Sequence, residues 1–171
     1  MVTVVERPVE IDAIAAARNA LDSVVDPELP VLTIADLGIL RDVRLGDDGT
    51  VEVIMTPTYL GCPAIGIIAI EIEVALERAQ IKKYRVIVQN SPAWTTDWLS
   101  EGAREKLRAC GIAPPAKTSS SKRALFAVDA ALCPICRSDR TERVSEFGST
   151  ACKALYRCLS CREPFDYFKC I

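Results

Sequence analysis

Two C-x-x-C pairs near the end of the chain have the most specific chemistry in this sequence. Cys133 and Cys136 form the first pair, and Cys158 and Cys161 form the second. Two-residue spacing lets both sulfurs of a pair reach one ion from a tight turn, and two pairs complete a tetrahedron. The spacing therefore predicts a structural zinc ribbon, with a rubredoxin-like iron site or a cluster as the alternative.

Cys62 is a second candidate for chemistry, because it lies between Gly61 and Pro63 ahead of a long apolar segment. A proline at the first helical position predicts that this segment is a helix. Unpaired amides and the helix dipole at such a position favour a thiolate, which is a nucleophile or a soft-metal ligand. A buried, unreactive thiol is the alternative, since cysteines are frequently core residues.

Cys152 and Cys170 lie close to the second C-x-x-C pair. The lysine at position 153 and exposed amides predict a reactive thiolate at Cys152, whereas a ribbon strand predicts a small buried residue, and both interpretations stay open. Cys170 is interpreted as incidental. Three aromatic residues nearby are expected to pack the core of the ribbon: Phe165, Tyr167 and Phe168.

The composition excludes several classes of site. The chain has no histidine, so it cannot build a Ser-His-Asp or Cys-His triad or a histidine-ligated metal centre. The net charge is -2, with an acidic excess in residues 1–112 and a basic excess in residues 113–171. Thiolates on a divalent ion would offset part of that basic charge, so we predict no nucleic-acid binding.

The first residues and the apolar segments indicate the expected compartment. Residues 1–8 contain charged side chains and no apolar run, so the sequence predicts no signal peptide. Charged residues also interrupt every segment that would otherwise be long enough to span a membrane. The cytoplasm is therefore the expected compartment, where reduced cysteines serve metal binding more often than disulfides.

The pattern of apolar residues and turns predicts an α+β protein, in which a small mixed α/β domain precedes a small β zinc ribbon. We assign residues 1–112 to the α/β domain, 113–128 to a flexible linker and 129–171 to the four-cysteine ribbon. In the first domain a hairpin sheet is expected to pack on helices. The predicted elements are a helix at 10–23, hairpin strands at 40–45 and 51–55, a helix at 63–80, a strand at 85–89 and a helix at 97–109.

Several longer motifs resemble a known family. Asp-Pro-Glu-Leu-Pro-Val at 26–31, Asp-Leu-Gly at 36–38 and Thr-Pro-Thr-Tyr-Leu-Gly-Cys-Pro at 56–63 resemble the iron–sulfur assembly-associated domain. Residues 92–98 and 147–155 narrow the resemblance to one family among the proteins that contain this domain. Together these segments are similar to the D component family of the phenylacetyl-CoA epoxidase (phenylacetate-CoA oxygenase) system, which joins this domain to a C-terminal zinc ribbon. The resemblance covers nearly the whole chain.

The resemblance implies a role in metal-centre assembly. Members of this family are thought to help mature iron–sulfur clusters or iron centres of the oxygenase reductase in aerobic phenylacetate degradation, and not to catalyse epoxidation. Cys62 then becomes a transient ligand for iron or a cluster. Asp26 and Glu28 become its neighbours, with turn capping as their alternative role, and Cys152 is a further candidate ligand.

The same resemblance implies partners and leaves rival functions. The expected partners are the reductase and other components of the epoxidase, together with a second copy of the chain, because one thiolate cannot saturate a cluster. Trp94 and Trp98 are expected to pack over the Cys62 site or to form a docking surface. The rivals are a non-catalytic structural subunit of the oxygenase and a thiol-dependent enzyme using Cys62, although no histidine base accompanies that thiol.

Overall fold

The computed structural model describes residues 9–115 and 131–169. Within these residues three helices and seven strands follow one another. In chain order they are α1 (Val9–Leu21), β1 (Leu40–Leu45), β2 (Val51–Met55), α2 (Ala64–Arg78), β3 (Tyr84–Val88), α3 (Glu101–Ala109), β4 (Ile112–Ala113), β5 (Thr141–Ser145), β6 (Lys153–Cys158) and β7 (Pro164–Phe168). The predicted α+β class is confirmed.

The first sheet has the order β1-β2-β3 and packs on helices, as predicted. The pair β1 and β2 is an antiparallel hairpin, whereas β3 runs parallel to β2. A parallel pair needs a crossover connection, and α2 provides it. The helix buries one side against the core, through apolar residues that recur every four positions: Ala64, Ile68, Ile72 and Leu76.

The helix predicted at 97–109 begins later than expected. A 3-10 turn covers Thr96–Trp98, and α3 begins only at Glu101. The two segments are separate because Leu99 is extended and Ser100 caps α3, its hydroxyl accepting a hydrogen bond from the Ala103 amide at 2.9 Å. A serine N-cap satisfies an otherwise unpaired amide of the first turn.

The second sheet has the order β4-β7-β6-β5 and contains the ribbon. Its strands β5, β6 and β7 are antiparallel neighbours, and β4 pairs with β7 in parallel. Ala113, predicted as the first linker residue, is therefore part of this sheet and lies opposite Tyr167. Residues 116–128 of the predicted linker and Cys170 lie outside the described residues, and the division into domains stays a prediction.

Two ribbon residues belong to the core of the first domain. Cys152 and Phe168 pack with the apolar residues of α1, α2 and the first sheet. Tyr156, Phe165 and Tyr167 form the smaller ribbon core, together with two of the C-x-x-C cysteines. The expectation for Phe168 was therefore wrong, because its position at the end of β7 directs it toward the neighbouring domain.

Among the described residues, no helix combines the length and the apolar character needed to cross a membrane.

Candidate functional site

The two C-x-x-C pairs bring four sulfurs together. The sulfur atoms of Cys133, Cys136, Cys158 and Cys161 all lie within 4.8 Å of one another. Across the two pairs, the Cys133 and Cys161 sulfurs are 3.7 Å apart and the Cys136 and Cys158 sulfurs 3.5 Å apart. Zinc–sulfur bonds of about 2.3 Å in a tetrahedron imply sulfur–sulfur distances of about 3.8 Å. The cysteines therefore fit one zinc ion, which supports the predicted metal binding.

Backbone amides support the sulfurs at each pair. The Cys136 amide donates to the Cys133 sulfur at 3.5 Å, and the amides of Ser160 and Cys161 donate to the Cys158 sulfur at 3.4 and 3.5 Å. The Cys161 amide is the main cause that lowers the pKa of Cys158 to about 6. Such bonds favour the thiolate form that a metal binds.

A left-handed residue directly follows each C-x-x-C pair. Arg137 has φ 64° and Arg162 has φ 68°. This conformation turns the chain back, so that the Arg137 amide donates to the Cys133 carbonyl at 3.0 Å. When bound, zinc would hold the two turns together and supply much of the folding free energy of so small a unit.

Asp26 caps a turn in the first domain. Its Oδ1 accepts hydrogen bonds from the Glu28 amide at 2.8 Å and the Leu29 amide at 2.9 Å. The side chain is buried, and burial raises the pKa of Asp26 above its ordinary value. The alternative role of turn capping therefore accounts for Asp26, and its role as a ligand of iron stays a prediction.

Glu28 meets Cys152 across the boundary between the first domain and the ribbon. The Cys152 thiol donates to Glu28 Oε2 at 3.5 Å, and the Lys153 ammonium lies 3.5 Å from the Glu28 carbonyl. Cys152 is only 5% exposed, and burial, with the Glu28 carboxylate adding to it, raises the pKa of Cys152 to about 11. Of the two interpretations left open for Cys152, the structure favours the small buried residue.

Cys62 lies under an exposed turn at the start of α2. It directly precedes Pro63, the N-cap residue, and its carbonyl accepts from the Ile65 amide at 3.3 Å. Its side chain is half-buried against the first core. The preceding Leu60 is 78% exposed, and Gly61 has φ 82°, which a residue with a side chain rarely adopts. Cys62 is thus a partly exposed residue beside an exposed turn.

Tyr59 lies within electrostatic range of Cys62, Glu28 and Cys152. Burial, and next the Cys62 thiol, raises the pKa of Tyr59 to about 12, and Glu28 and Cys152 add to the effect. The sequence did not indicate Tyr59 as a site residue, although Tyr59 lies in the same eight-residue motif as Cys62. We call Cys62, Tyr59, Glu28 and Cys152 the thiol cluster.

The two tryptophans make contacts that the sequence did not predict, and their expected role at the Cys62 site stays a prediction. The Trp94 indole donates to the Leu37 carbonyl at 2.8 Å and packs against Phe168 of the ribbon. The Arg41 guanidinium lies 3.4 Å from the ring centroid of Trp98. Trp94 therefore fixes the ribbon on the first domain, and Trp98 is covered by a cation.

Known protein families match both the first domain and the ribbon segment of the chain. Residues 14–86 match the family model described as "Iron-sulfur cluster assembly protein", and residues 117–169 match the "PaaD zinc beta ribbon domain". The chain is 52% identical to the Escherichia coli (strain K12) protein named as the D component of 1,2-phenylacetyl-CoA epoxidase, over 88% of this chain and 89% of that protein. The chain belongs to this epoxidase D component family. The predicted resemblance is thereby confirmed.

More distant relatives match the first domain of this chain. An Fe-S protein maturation auxiliary factor of Bacillus subtilis (strain 168) is 41% identical over 50% of the chain and 84% of its own length. The crystal structure of a DUF59 domain from Bacillus anthracis matches with a TM-score of 0.52 and 27% identity, over 57% of this chain and 93% of that one. Both likenesses cover about half of the present chain.

The thiol cluster is divided between the two segments that the family models match. Glu28, Tyr59 and Cys62 fall within residues 14–86, and Cys152 falls within 117–169. A protein with only the first segment would therefore lack the buried thiol of the cluster.

Proposed function

We propose that this chain delivers iron, as an ion or within an iron–sulfur cluster, to the reductase of the phenylacetyl-CoA epoxidase system. The observation that carries the proposal is the half-buried Cys62 thiol beneath the exposed turn at Leu60 and Gly61. A carrier needs a ligand that reaches its cargo from solvent and releases it to a client, and this position meets both needs.

The donor atoms around Cys62 suit iron. Thiolate sulfur is the usual protein ligand of iron–sulfur clusters, and carboxylate oxygen also binds iron. Clusters usually require four protein sulfurs, which exceeds the two that the thiol cluster contains. A second copy of the chain, a small thiol or cysteines of the client would complete the ligand set. Incomplete ligation favours transfer, because each client thiolate replaces a weakly held ligand.

The ribbon serves in this proposal as the docking module. A four-thiolate zinc site is closed and structural, so its metal would not take part in delivery. Three exposed apolar residues lie beside its C-x-x-C turns, with exposed fractions of 56%, 58% and 42%: Leu132, Ile135 and Leu159. Exposed apolar groups on so small a module fit a protein contact, for which the reductase is the proposed partner. The relatives named as Fe-S protein maturation factors support the same assignment.

The deciding experiment is coexpression of the reductase and the other components of the epoxidase with wild type, Cys62→Ser or Cys110→Ser, or without the chain. Cys110 is an exposed cysteine at the end of α3 and serves as the matched control. We expect iron and sulfide per reductase to fall severalfold without the chain and with Cys62→Ser, and to stay unchanged with Cys110→Ser. A fully loaded reductase in every case would favour the structural-subunit alternative.

A further inference from the structure

The second C-x-x-C turn of the ribbon borders an open pocket of about 360 Å³. The pocket is lined by three arginines, one metal-site cysteine and one leucine, with no acidic residue among them: Arg140, Arg157, Arg162, Cys158 and Leu159. All three arginines are exposed residues. The pocket therefore concentrates positive charge beside the zinc site, and we call it the arginine pocket.

Two of the three arginines are available to an incoming anion. Arg157 pairs with Glu142 on the neighbouring strand β5, its guanidinium nitrogen lying 2.9 Å from the carboxylate oxygen. Arg140 and Arg162 form no ion pair within the described part of the chain, residues 9–115 and 131–169. Guanidinium groups form strong, often bidentate hydrogen bonds to carboxylates and phosphates. The arginine pocket can therefore bind an anionic group.

The turns of the metal site hold the backbone of both unpaired arginines. The Arg140 carbonyl accepts a hydrogen bond from the Leu159 amide at 2.8 Å, and the Arg140 amide donates to the Ser138 hydroxyl at 3.1 Å. Arg162 directly follows the metal-site residue Cys161 and has a left-handed backbone with φ 68°. The arginine pocket thus depends on the folded ribbon, because both side chains start from its turns.

We propose that the arginine pocket binds carboxylate side chains on the surface of the reductase. The inference rests on the proposed function, because the reductase is the partner named there, and it adds the chemistry that the partner surface must have. Leu159 lines the pocket and is 42% exposed, so the partner surface combines acidic groups with an apolar contact. Arginines around an apolar contact are typical of protein interfaces, whereas a phosphate backbone gains nothing from Leu159. The lining therefore favours a protein partner over a nucleic acid.

A competing role for these arginines is to balance the charge of the metal site. Zinc bound by four thiolates carries a net negative charge, which nearby guanidinium groups would offset. Arg137 separates the two roles, because it follows the first C-x-x-C pair just as Arg162 follows the second. Both residues are exposed and left-handed, but Arg137 does not line the arginine pocket. Arg137 is therefore the matched control for Arg162.

The test measures the affinity of the purified reductase for the full chain with zinc in its ribbon, by titration calorimetry. Arg162→Gly and Arg137→Gly each remove a side chain at a left-handed position that glycine adopts readily, so both variants should fold. We expect Arg162→Gly and Arg140→Gln each to weaken binding about tenfold. Leu159→Ala should weaken it about fivefold. Arg137→Gly should bind like wild type, and zinc content and thermal unfolding establish that each variant is folded.

The salt dependence of binding provides a second measurement. The affinity of wild type should fall as the salt concentration rises from about 50 to about 300 mM, because salt screens charges at the rim of an interface. The double variant Arg140→Gln/Arg162→Gly should bind weakly and lose most of this dependence, whereas Arg137→Gly should keep it.

Three results would overturn the arginine pocket as a docking site. The first is wild-type affinity in both Arg162→Gly and Arg140→Gln, or no binding of the reductase to wild type. The second is an equal loss in Arg137→Gly and Arg162→Gly, since that result assigns the arginines to the metal site. The third is binding of a duplex DNA of about 20 base pairs at about 150 mM salt that requires Arg140 and Arg162.

The coexpression experiment with Cys62→Ser keeps this inference separate from the proposed function. A reductase that loses iron with Cys62→Ser but binds Arg162→Gly normally would keep delivery and reject the arginine pocket. A reductase that is fully loaded without the chain, but whose binding requires Arg140 and Arg162, would reject delivery and keep the pocket.

Discussion

The indole of Trp94 meets the ring of Phe168 edge-on, with the ring centroids 6.1 Å apart and the planes at 82°. Trp94 precedes α3 in the first domain, and Phe168 ends the last ribbon strand. Both rings are buried, at 4% and 1% exposure, and edge-on aromatic pairs are favourable beyond the area that they bury. The ribbon and the first sheet are therefore joined by a shared core, and this contact should control their stability together.

Phe168→Ala should lower the free energy of unfolding by about 3–5 kcal/mol, because it leaves a cavity against Trp94. It should also shift the Trp94 emission to longer wavelength as water enters. Urea unfolding followed by fluorescence, in a Trp98→Phe background, measures both effects.

Phe147→Ala is the control for this change, since Phe147 is 64% exposed and its ring centroid lies 4.6 Å from the Lys169 ammonium. Phe147→Ala should lower the free energy of unfolding by no more than about 1 kcal/mol. Equal costs for the two phenylalanines would contradict a shared core.

Removal of zinc should destabilise both domains and not the ribbon alone. The ribbon contributes Cys152 and Phe168 to the first core, so a ribbon that unfolds takes these contacts away. Structural zinc supplies about 10–16 kcal/mol in finger peptides, so we expect a loss of more than about 3 kcal/mol here. Hydrogen exchange of the β2 amides before and after chelation measures it. Cys133→Ser should reproduce the loss and Cys110→Ser should not, whereas unchanged β2 protection would show that the domains fold independently.

Asp36→Asn should lower the free energy of unfolding at neutral pH and change it little in acid. Burial alone would raise the pKa of Asp36, but hydrogen bonds from Lys106 and Thr33 outweigh it and lower the pKa below 3.8. A lowered pKa contributes stability that is present above the unfolded value and lost as the pH falls through the folded one.

The expected cost of Asp36→Asn at pH 7 is about 1 kcal/mol, limited by solvent screening of a partly exposed ion pair. Unfolding curves at pH 7 and at a pH well below 3.8 measure the difference. Asp47→Asn, at an exposed turn position, should cost little at either pH. A pH-independent cost for Asp36→Asn would rule out the lowered pKa as its cause.

Gly38→Ala should destabilise the protein by about 2–4 kcal/mol, because it combines a left-handed backbone with a steric clash. Gly38 has φ 68°, and an added Cβ would lie 2.8 Å from both the Cβ and the carbonyl oxygen of Trp98. Gly49 has φ 72° and no atom within 4 Å of such a Cβ, so Gly49→Ala isolates the backbone cost of about 1 kcal/mol. Thermal unfolding of both variants gives the comparison, in which similar losses would mean that contact with Trp98 is unimportant.

The sequence alone determined the features that depend on neighbouring residues. Two-residue spacing within each C-x-x-C pair predicted the metal site, because the geometry of each half is set by one turn. The same local logic predicted the hairpin of β1 and β2 and the helix after Pro63. The start of α3 was missed, because a serine cap and an extended residue separate two helical patterns that look continuous in the sequence.

Only the tertiary structure decided what Cys152 and Phe168 contact. Cys152 reaches Glu28 across 124 residues, and Phe168 turns from its own ribbon toward Trp94. Such contacts depend on how the surfaces of two distant segments fit together. The pattern of apolar residues predicts that a side chain is buried, but it does not identify the residues that bury it. For that reason the sequence could name Cys152 and Phe168 as candidates, but only the folded chain shows that they contact the first domain.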